Sequence, residues 1–533
     1  MKRYHFLLIF ILLVTIESCK NALTNNKIII RDTSITKITS FNTLFFDSIQ
    51  VTNFLLLHPE LSTYENQFND FYKARNYQYA WFDKDGITDQ AAHFLNLLNN
   101  DSNELQDSSM LNPALVQLYN TLHNDTLHKT PQDSILKTEL LFTGQFFLHA
   151  EKVYNGSNIN TADLGWFIPR KKIDLTNLLG ETLKLKASEI GLTADTNSPY
   201  KQLQTQLSFY YQLAKKEATD SIPYQLKPLK KGISAQVIKQ IKNRLAELGD
   251  LPINDSLMKY DSLLYNAVVL FQKRMGLSVD GAIGNKMIEA LNVPAAKRIK
   301  QLLINMERLR WLPVIKDSNY ILVNIPEYKL HVIDSGKNIF DLNVIVGKTA
   351  NGTVIFNSQL KYIVFSPYWN VPASIVEKEI LPAIAKNPKY LEKNNMEITG
   401  KSKGLPTIRQ KPGPLNSLGL VKFLFPNNYD IYLHDTPNRE LFTQSSRGLS
   451  HGCIRISNPQ KMAAYLLRND TTWNAATIDT AMHQPKEKWI TLKKTIPVFI
   501  VYFTAWVDKN GLLNFRKDIY GHDEKMSLKL FKQ

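Results

Sequence analysis

The sequence predicts an α+β protein of several domains, helical in its first part and mainly β in its last. Three observations predict it. At 533 residues the chain is long for a single hydrophobic core. Up to about residue 291 its apolar residues recur at helical intervals, as in Leu140-Leu141-Phe142 with Phe146-Phe147-Leu148, or Val237, Ile241, Leu245 and Leu248. From residue 320 the period drops to two, with 320–325 and 329–333 flanking a Pro-Glu-Tyr turn as a hairpin.

The amino terminus reads as an export signal. Lys2 and Arg3 precede an apolar run, residues 6–16, too short to span a bilayer and of the right length for a signal core. The run ends at Ile16-Glu17-Ser18-Cys19, which resembles a bacterial lipoprotein cleavage site, although Glu17 departs from that pattern. On this reading residues 1–19 are a lipoprotein-type signal and Cys19 carries lipid, which holds the protein at a membrane. An ordinary cleaved signal and an uncleaved anchor are the alternatives. Residues 20–43, rich in Asn, Thr and Lys, read as a flexible tether. No other apolar stretch reaches spanning length. The net charge of +16 is spread over scattered Lys and Arg without a nucleic-acid motif, so for an exported chain an anionic wall polymer is the better partner.

Chemistry concentrates in Ile431-Tyr432-Leu433-His434-Asp435-Thr436 and Ser450-His451-Gly452-Cys453-Ile454-Arg455. Cys453 is one of two cysteines, and no disulfide framework competes for it. A free thiol has a pKa of about 8.5; a neighbouring imidazole supplies the thiolate a nucleophile needs. Gly452 lets the backbone turn so that amide N–H groups face an oxyanion. The plain alternative, a small buried hydrophobe, fits Cys453 less well because Ser450, His451 and Arg455 make its surroundings polar and cationic. His434, nineteen positions upstream, is the candidate base; His451 shapes the loop, and His331 in mid-strand is structural.

These two stretches resemble the active-site signature of the L,D-transpeptidases, cysteine enzymes of bacterial wall crosslinking. Pro367-Tyr368-Trp369-Asn370-Val371-Pro372, Arg409-Gln410-Lys411-Pro412-Gly413-Pro414 and His434-Asp435-Thr436-Pro437 extend the resemblance to the large, multidomain, periplasmic branch. Tyr77-Gln78-Tyr79-Ala80-Trp81-Phe82, and Val153-Tyr154-Asn155-Gly156 leading to Trp166, resemble its helical scaffold domain, set at 44–225. Phe271-Gln272, Gly276-Leu277, Asp280-Gly281 and Leu291-Asn292 resemble a three-helix peptidoglycan-binding module at 229–294, with Gly276 ending its second helix. The resemblance places a mainly β catalytic domain, a mixed sandwich, at 299–525, with a capping insertion at about 373–419 able to exclude water. Residues 496–507 and 512–519, joined through an Asn-Gly turn, read as a closing hairpin.

The resemblance implies crosslinking between third residues of peptidoglycan stem peptides through a thioester on Cys453, with release of D-alanine and no metal or cofactor. His434 acts as base, and the Asp435 carbonyl orients its ring. Gly452, His451 and Ser450 support the oxyanion loop, while Arg455, Trp369 and Asn370 bind substrate. An L,D-carboxypeptidase using the same pair, a variant attaching an outer-membrane protein to the wall, and a non-catalytic wall-binding lipoprotein are the rivals.

Overall fold

The computed structural model describes residues 42, 44–124, 131–170, 173–187, 199–216, 220–252, 257–313 and 318–531. The expected signal, its Cys19 and all of the tether but residue 42 lie outside the described residues. The chain divides into two compact units, Met1–Lys152 with Ile173–Thr193, and Val153–Lys172 with Ala194–Gln533. No helix among the described residues is long and apolar enough to cross a membrane.

The first unit is helical: α1 (Ile49–Leu57), α2 (Glu65–Ala74), α3 (Asp89–Leu105), α4 (Pro113–His123), α5 (Gln132–Ala150) and α6 (Leu175–Thr182). The Thr88 and Asn112 side chains cap α3 and α4 by accepting amide N–H bonds, and Pro113 opens α4 where no donor is missed. Trp81 stacks on Phe94 and Phe142 at 5.4 Å each. Buried Glu139 on α5 accepts from the Tyr72 hydroxyl and the Ala80 and Trp81 amides. That network ties the Tyr77–Phe82 stretch to the helices.

In the second unit α7 (Pro199–Lys216) precedes three helices of a small module, α8 (Gln236–Glu247), α9 (Ser262–Arg274) and α10 (Asn285–Leu291). Asp261 caps α9 by accepting from the Leu264 amide, and Gly276, at φ +66°, turns the chain out of it. α11 (Ala295–Trp311) follows and leads to the β domain.

That domain contains β1 (Tyr320–Asn324), β2 (Lys329–Asp334), β3 (Lys337–Gly347), β4 (Phe356–Phe365), β5 (Trp369–Asn370), β6 (Met396–Ser402), β7 (Leu405–Gln410), β8 (Val421–Leu424), β9 (Leu433–His434), β10 (Gly448–Ser450), β11 (Ile454–Ile456), β12 (Lys488–Val501), β13 (Ala505–Val507) and β14 (Leu513–Phe515). The main sheet runs β10-β3-β11-β9-β8-β4-β12-β1-β2, and β2 also pairs with β3. The expected sandwich therefore closes into a barrel, leaving β10 outside the ring. One hairpin reading also changes. Residues 496–501 belong to β12, parallel to β1 on one side and antiparallel to β4 on the other; only β13 and β14 pair across the Asn-Gly turn. The cause is visible in burial: Ile496 through Val501 are all buried, as befits a strand with neighbours on both edges and both faces covered.

The insertion forms its own three-stranded sheet, β5-β7-β6, beside a helical run of Ala373–Ile375, Val376–Ile380 and Leu381–Lys386. Val371, Val376, Ile380 and Ile408 make a small separate core.

Candidate active site

β9 and β11 lie side by side and parallel, with Leu433 opposite Ile454 and His434 opposite Arg455. Side chains alternate across a strand. Leu433 and Ile454 therefore point into the barrel core, where both are fully buried, and Tyr432, His434, Cys453 and Arg455 share the other face. The sequence dictates this through its alternation of apolar and polar residues on both short strands.

His434 is buried, with Nδ1 2.6 Å from the Asp435 carbonyl oxygen. A carbonyl only accepts, so Nδ1 carries the proton and Nε2 is the basic nitrogen. Burial, then the charges of Arg455 and Lys422, push the imidazole down to about 3, against the backbone of Asp435 and Leu418. The Asp435 carboxylate is turned elsewhere: Oδ1 pairs with Arg439 at 2.8 Å and Oδ2 accepts from the Leu420 amide at 2.9 Å. Gly419 (φ +63°) permits that approach, since a Cβ there would fall 2.4 Å from the Asp435 side chain.

The Cys453 thiol donates to the Asp430 carbonyl at 3.4 Å, and burial pushes its pKa up, partly offset by hydrogen bonds from Tyr432 and the charge of Arg455. The Tyr432 ring meets His434 edge-on at 5.7 Å. Ser450 is buried and braces the turn; its Oγ donates to the Cys453 carbonyl at 2.6 Å and accepts the Gly452 N–H at 3.1 Å. The Gly452 amide is therefore occupied by Ser450. Thr353, buried on the loop after β3, holds the next peptide, Gly452–Cys453, its Oγ1 donating to the Gly452 carbonyl at 2.7 Å and accepting the Gly347 N–H at 2.9 Å. In a trans peptide the Gly452 C=O and the Cys453 N–H point oppositely. Thr353 thus directs the Cys453 N–H away from itself.

His451 reaches across to the cap, with Nε2 2.9 Å from Glu379 Oε1. Arg455 is partly buried and its Nε has no hydrogen-bond partner. Trp369 packs on the small cap core and Asn370 is exposed. His331 bridges two carboxylates, Asp341 at 2.8 Å and Glu327 at 3.0 Å. Thr353, Tyr432, Glu379 and Lys422 were not singled out by sequence reading. Only Lys422 left a usable signal, standing as a lysine between the buried Val421 and Phe423.

Residues 318–478 match the family model described as the L,D-transpeptidase catalytic domain, 66–207 that described as a scaffold domain, and 234–291 that described as "Putative peptidoglycan binding domain". The chain thus carries an L,D-transpeptidase catalytic domain preceded by scaffold and peptidoglycan-binding-type domains. A curated relative from Haemophilus influenzae, named "Putative L,D-transpeptidase", is 30% identical over 298 residues, covering 52% of this chain and 60% of the relative, so the chain spans less than two thirds of that protein's length. Among solved structures, an L,D-transpeptidase from Stackebrandtia nassauensis is 15% identical, with 53% of this chain and 97% of that one covered at a TM-score of 0.22. An L,D-transpeptidase from Mycobacterium smegmatis is 13% identical, with 34% and 58% covered at a TM-score of 0.20.

Proposed function

We propose that this protein is a cysteine-dependent L,D-transpeptidase that crosslinks the third residues of peptidoglycan stem peptides. The observation that supports it most is the placing of Cys453 and His434 on one face of adjacent parallel strands, with Nδ1 of the histidine engaged and Nε2 left to take a proton. Cys453 gives its proton to His434, and the thiolate attacks the carbonyl at the L-centre of the third residue of a donor tetrapeptide. The Cys453 N–H receives the developing oxyanion. The C–N bond to the terminal D-alanine breaks, and the imidazolium protonates the departing amine. An acceptor stem amine then attacks the thioester, transferring its proton to His434 and regenerating the thiol. Arg455 binds substrate carboxylate, and the cap, held to the nucleophile loop by Glu379 and His451, limits water so that transfer outruns hydrolysis.

The proposed setting is the cell envelope, with a lipid on Cys19 anchoring a periplasmic enzyme and residues 229–294 contributing to wall association. The test is mass spectrometry of the protein incubated with purified disaccharide-tetrapeptide. A crosslinked dimer with release of D-alanine, lost in Cys453→Ala, is the expected result. Tripeptide alone would make the protein an L,D-carboxypeptidase, and no product from a folded protein that still binds sacculi would leave a non-catalytic wall-binding lipoprotein.

A further inference from the structure

Lys422, His434 and Arg455 stand in one row across three adjacent strands. Lys422 is opposite His434 between β8 and β9, and His434 is opposite Arg455 between β9 and β11. Paired positions place side chains on the same face, with about 5 Å between neighbouring strands. Two cations therefore flank the candidate base.

Neither cation is neutralised. Arg455 forms no ion pair among the described residues, its Nε is buried without an acceptor, and the one group whose charge would act on it, Cys453, is held as the neutral thiol. Lys422 lies 5.5 Å from the Trp489 ring centre, and Glu487, the one carboxylate acting on it, forms no ion pair with it among the described residues. Glu487 instead accepts from the Trp489 Nε1–H at 3.0 Å. The other groups around the pair cannot supply the missing anion: Asp435 is engaged by Arg439, and Tyr432 and Asp430 act on the thiol. Half-buried cations without a paired anion are costly, and they mark a place for a charged ligand.

We propose that Lys422 and Arg455 form a carboxylate-binding subsite astride His434, and that the free α-carboxylate of the donor's terminal residue fills it and thereby switches His434 on as a base. The proposal rests on the transpeptidase reading and adds a subsite and a substrate-dependent switch to it. The ligand class follows from bond connectivity. His434 must reach the scissile nitrogen to protonate it, and the terminal carboxylate is only two bonds from that nitrogen, so it falls between the same two cations. The electrostatics agree: burial and both cations hold the imidazole unprotonated, and an anion between them removes the cationic part of that opposition. A thiolate–imidazolium pair then forms when substrate is bound and not before.

The subsite is tested without chemistry in the full-length Cys453→Ala protein, by calorimetry with the disaccharide-tetrapeptide and with its C-terminal amide. The free acid is expected to bind about tenfold more tightly than the amide. Lys422→Met, matched in length, is expected to erase most of that difference, and Lys422→Arg to retain it. Equal binding of acid and amide, or a difference unchanged by Lys422→Met, overturns the subsite. In the otherwise unaltered enzyme Lys422→Met is expected to lower kcat on the free acid as well as raise KM, because base strength depends on the filled subsite. A change in KM alone overturns the switch. Discrimination between acid and amide with no turnover by the unaltered enzyme would leave the subsite standing and the transpeptidase reading refuted.

Discussion

At the scale of single residues, the free enzyme is chemically quiet. Cys453 is pushed up by burial and His434 down to about 3, so near neutral pH both are uncharged. Alkylation of the free enzyme by iodoacetamide is therefore expected to be slower at pH 7 than that of a free thiol, with its midpoint at higher pH. Arg455→Met should move the midpoint higher still, since that cation favours the thiolate. A midpoint below that of free cysteine would contradict both statements. His331 behaves in the opposite sense to His434: burial pulls it down, but the hydrogen bonds it donates to Asp341 and Glu327 outweigh that and raise it to about 9. A raised histidine stabilises the fold fully below its ordinary value of about 6.5, and the gain is lost as pH climbs through 9. His331→Gln should abolish a decline in unfolding free energy, on the order of 2–3 kcal/mol, between pH 6.5 and 9 in denaturant titrations. The sequence marked His331 as structural because it sits in mid-strand, yet the two carboxylates that hold it, Glu327 four residues upstream and Asp341 opposite it on β3, meet its ring only once the β2–β3 hairpin sets their register.

At the scale of elements, the loop that carries Cys453 owes its shape to a residue a hundred positions upstream. Thr353 and Ser450 hold the peptides around Cys453 from two sides, and the one hydroxyl of Thr353 serves both Gly347 and Gly452. Thr353→Val keeps the shape but leaves the Gly347 amide and Gly452 carbonyl unpaired. It is expected to lower kcat about ten- to a hundredfold with a small change in KM, less than the roughly 10²–10³ of deleting an oxyanion donor outright. Thr353→Ser should recover most of the rate; equal impairment of both variants would assign Thr353 to packing alone. Gly156 is a second case. It lies at φ +71°, and a Cβ would come within 2.6 Å of the buried Glu307 carboxylate on α11, which also receives the Ser157 amide and the Trp311 indole N–H. Gly156→Ala should cost about 1–3 kcal/mol of stability. Short strands and the loop that carries Cys453 were legible because alternation and turn residues are local. Closure of the sheet was not, because β11 meets β3 and β12 meets β1 through backbone pairings between segments far apart in the chain that no side-chain pattern records. The cap was readable as an insertion, but its tie to the site, Glu379 to His451, joins two exposed polar residues of a kind that sequence offers in abundance.

At the scale of the whole second unit, the small helical module is fastened to the barrel by packed contacts, as well as by α11. Gln301 on α11 donates to the carbonyls of Thr504 and Arg516, and Asn305 exchanges two hydrogen bonds of 2.8 Å with Thr504. Arg516, next to β14, donates to the Arg274 carbonyl at the end of α9 at 2.8 Å and packs where Gly276 lacks a side chain. Arg298 on α11 covers the Phe515 ring at 4.4 Å. A module held in this way should open together with the barrel, because each of these partners is lost when either side unfolds. Arg516→Ala removes a largely buried guanidinium and leaves the Arg274 carbonyl unpaired, at a cost of about 1–3 kcal/mol. Native-state hydrogen exchange on the full chain is the suitable measurement. Protection across Ser262–Arg274 and Leu513–Phe515 should fall by the same amount in the variant, as expected of one cooperative unit. Loss confined to Leu513–Phe515, with the module helix as protected as before, would mean that the module folds independently and that its attachment to the barrel carries no shared stability.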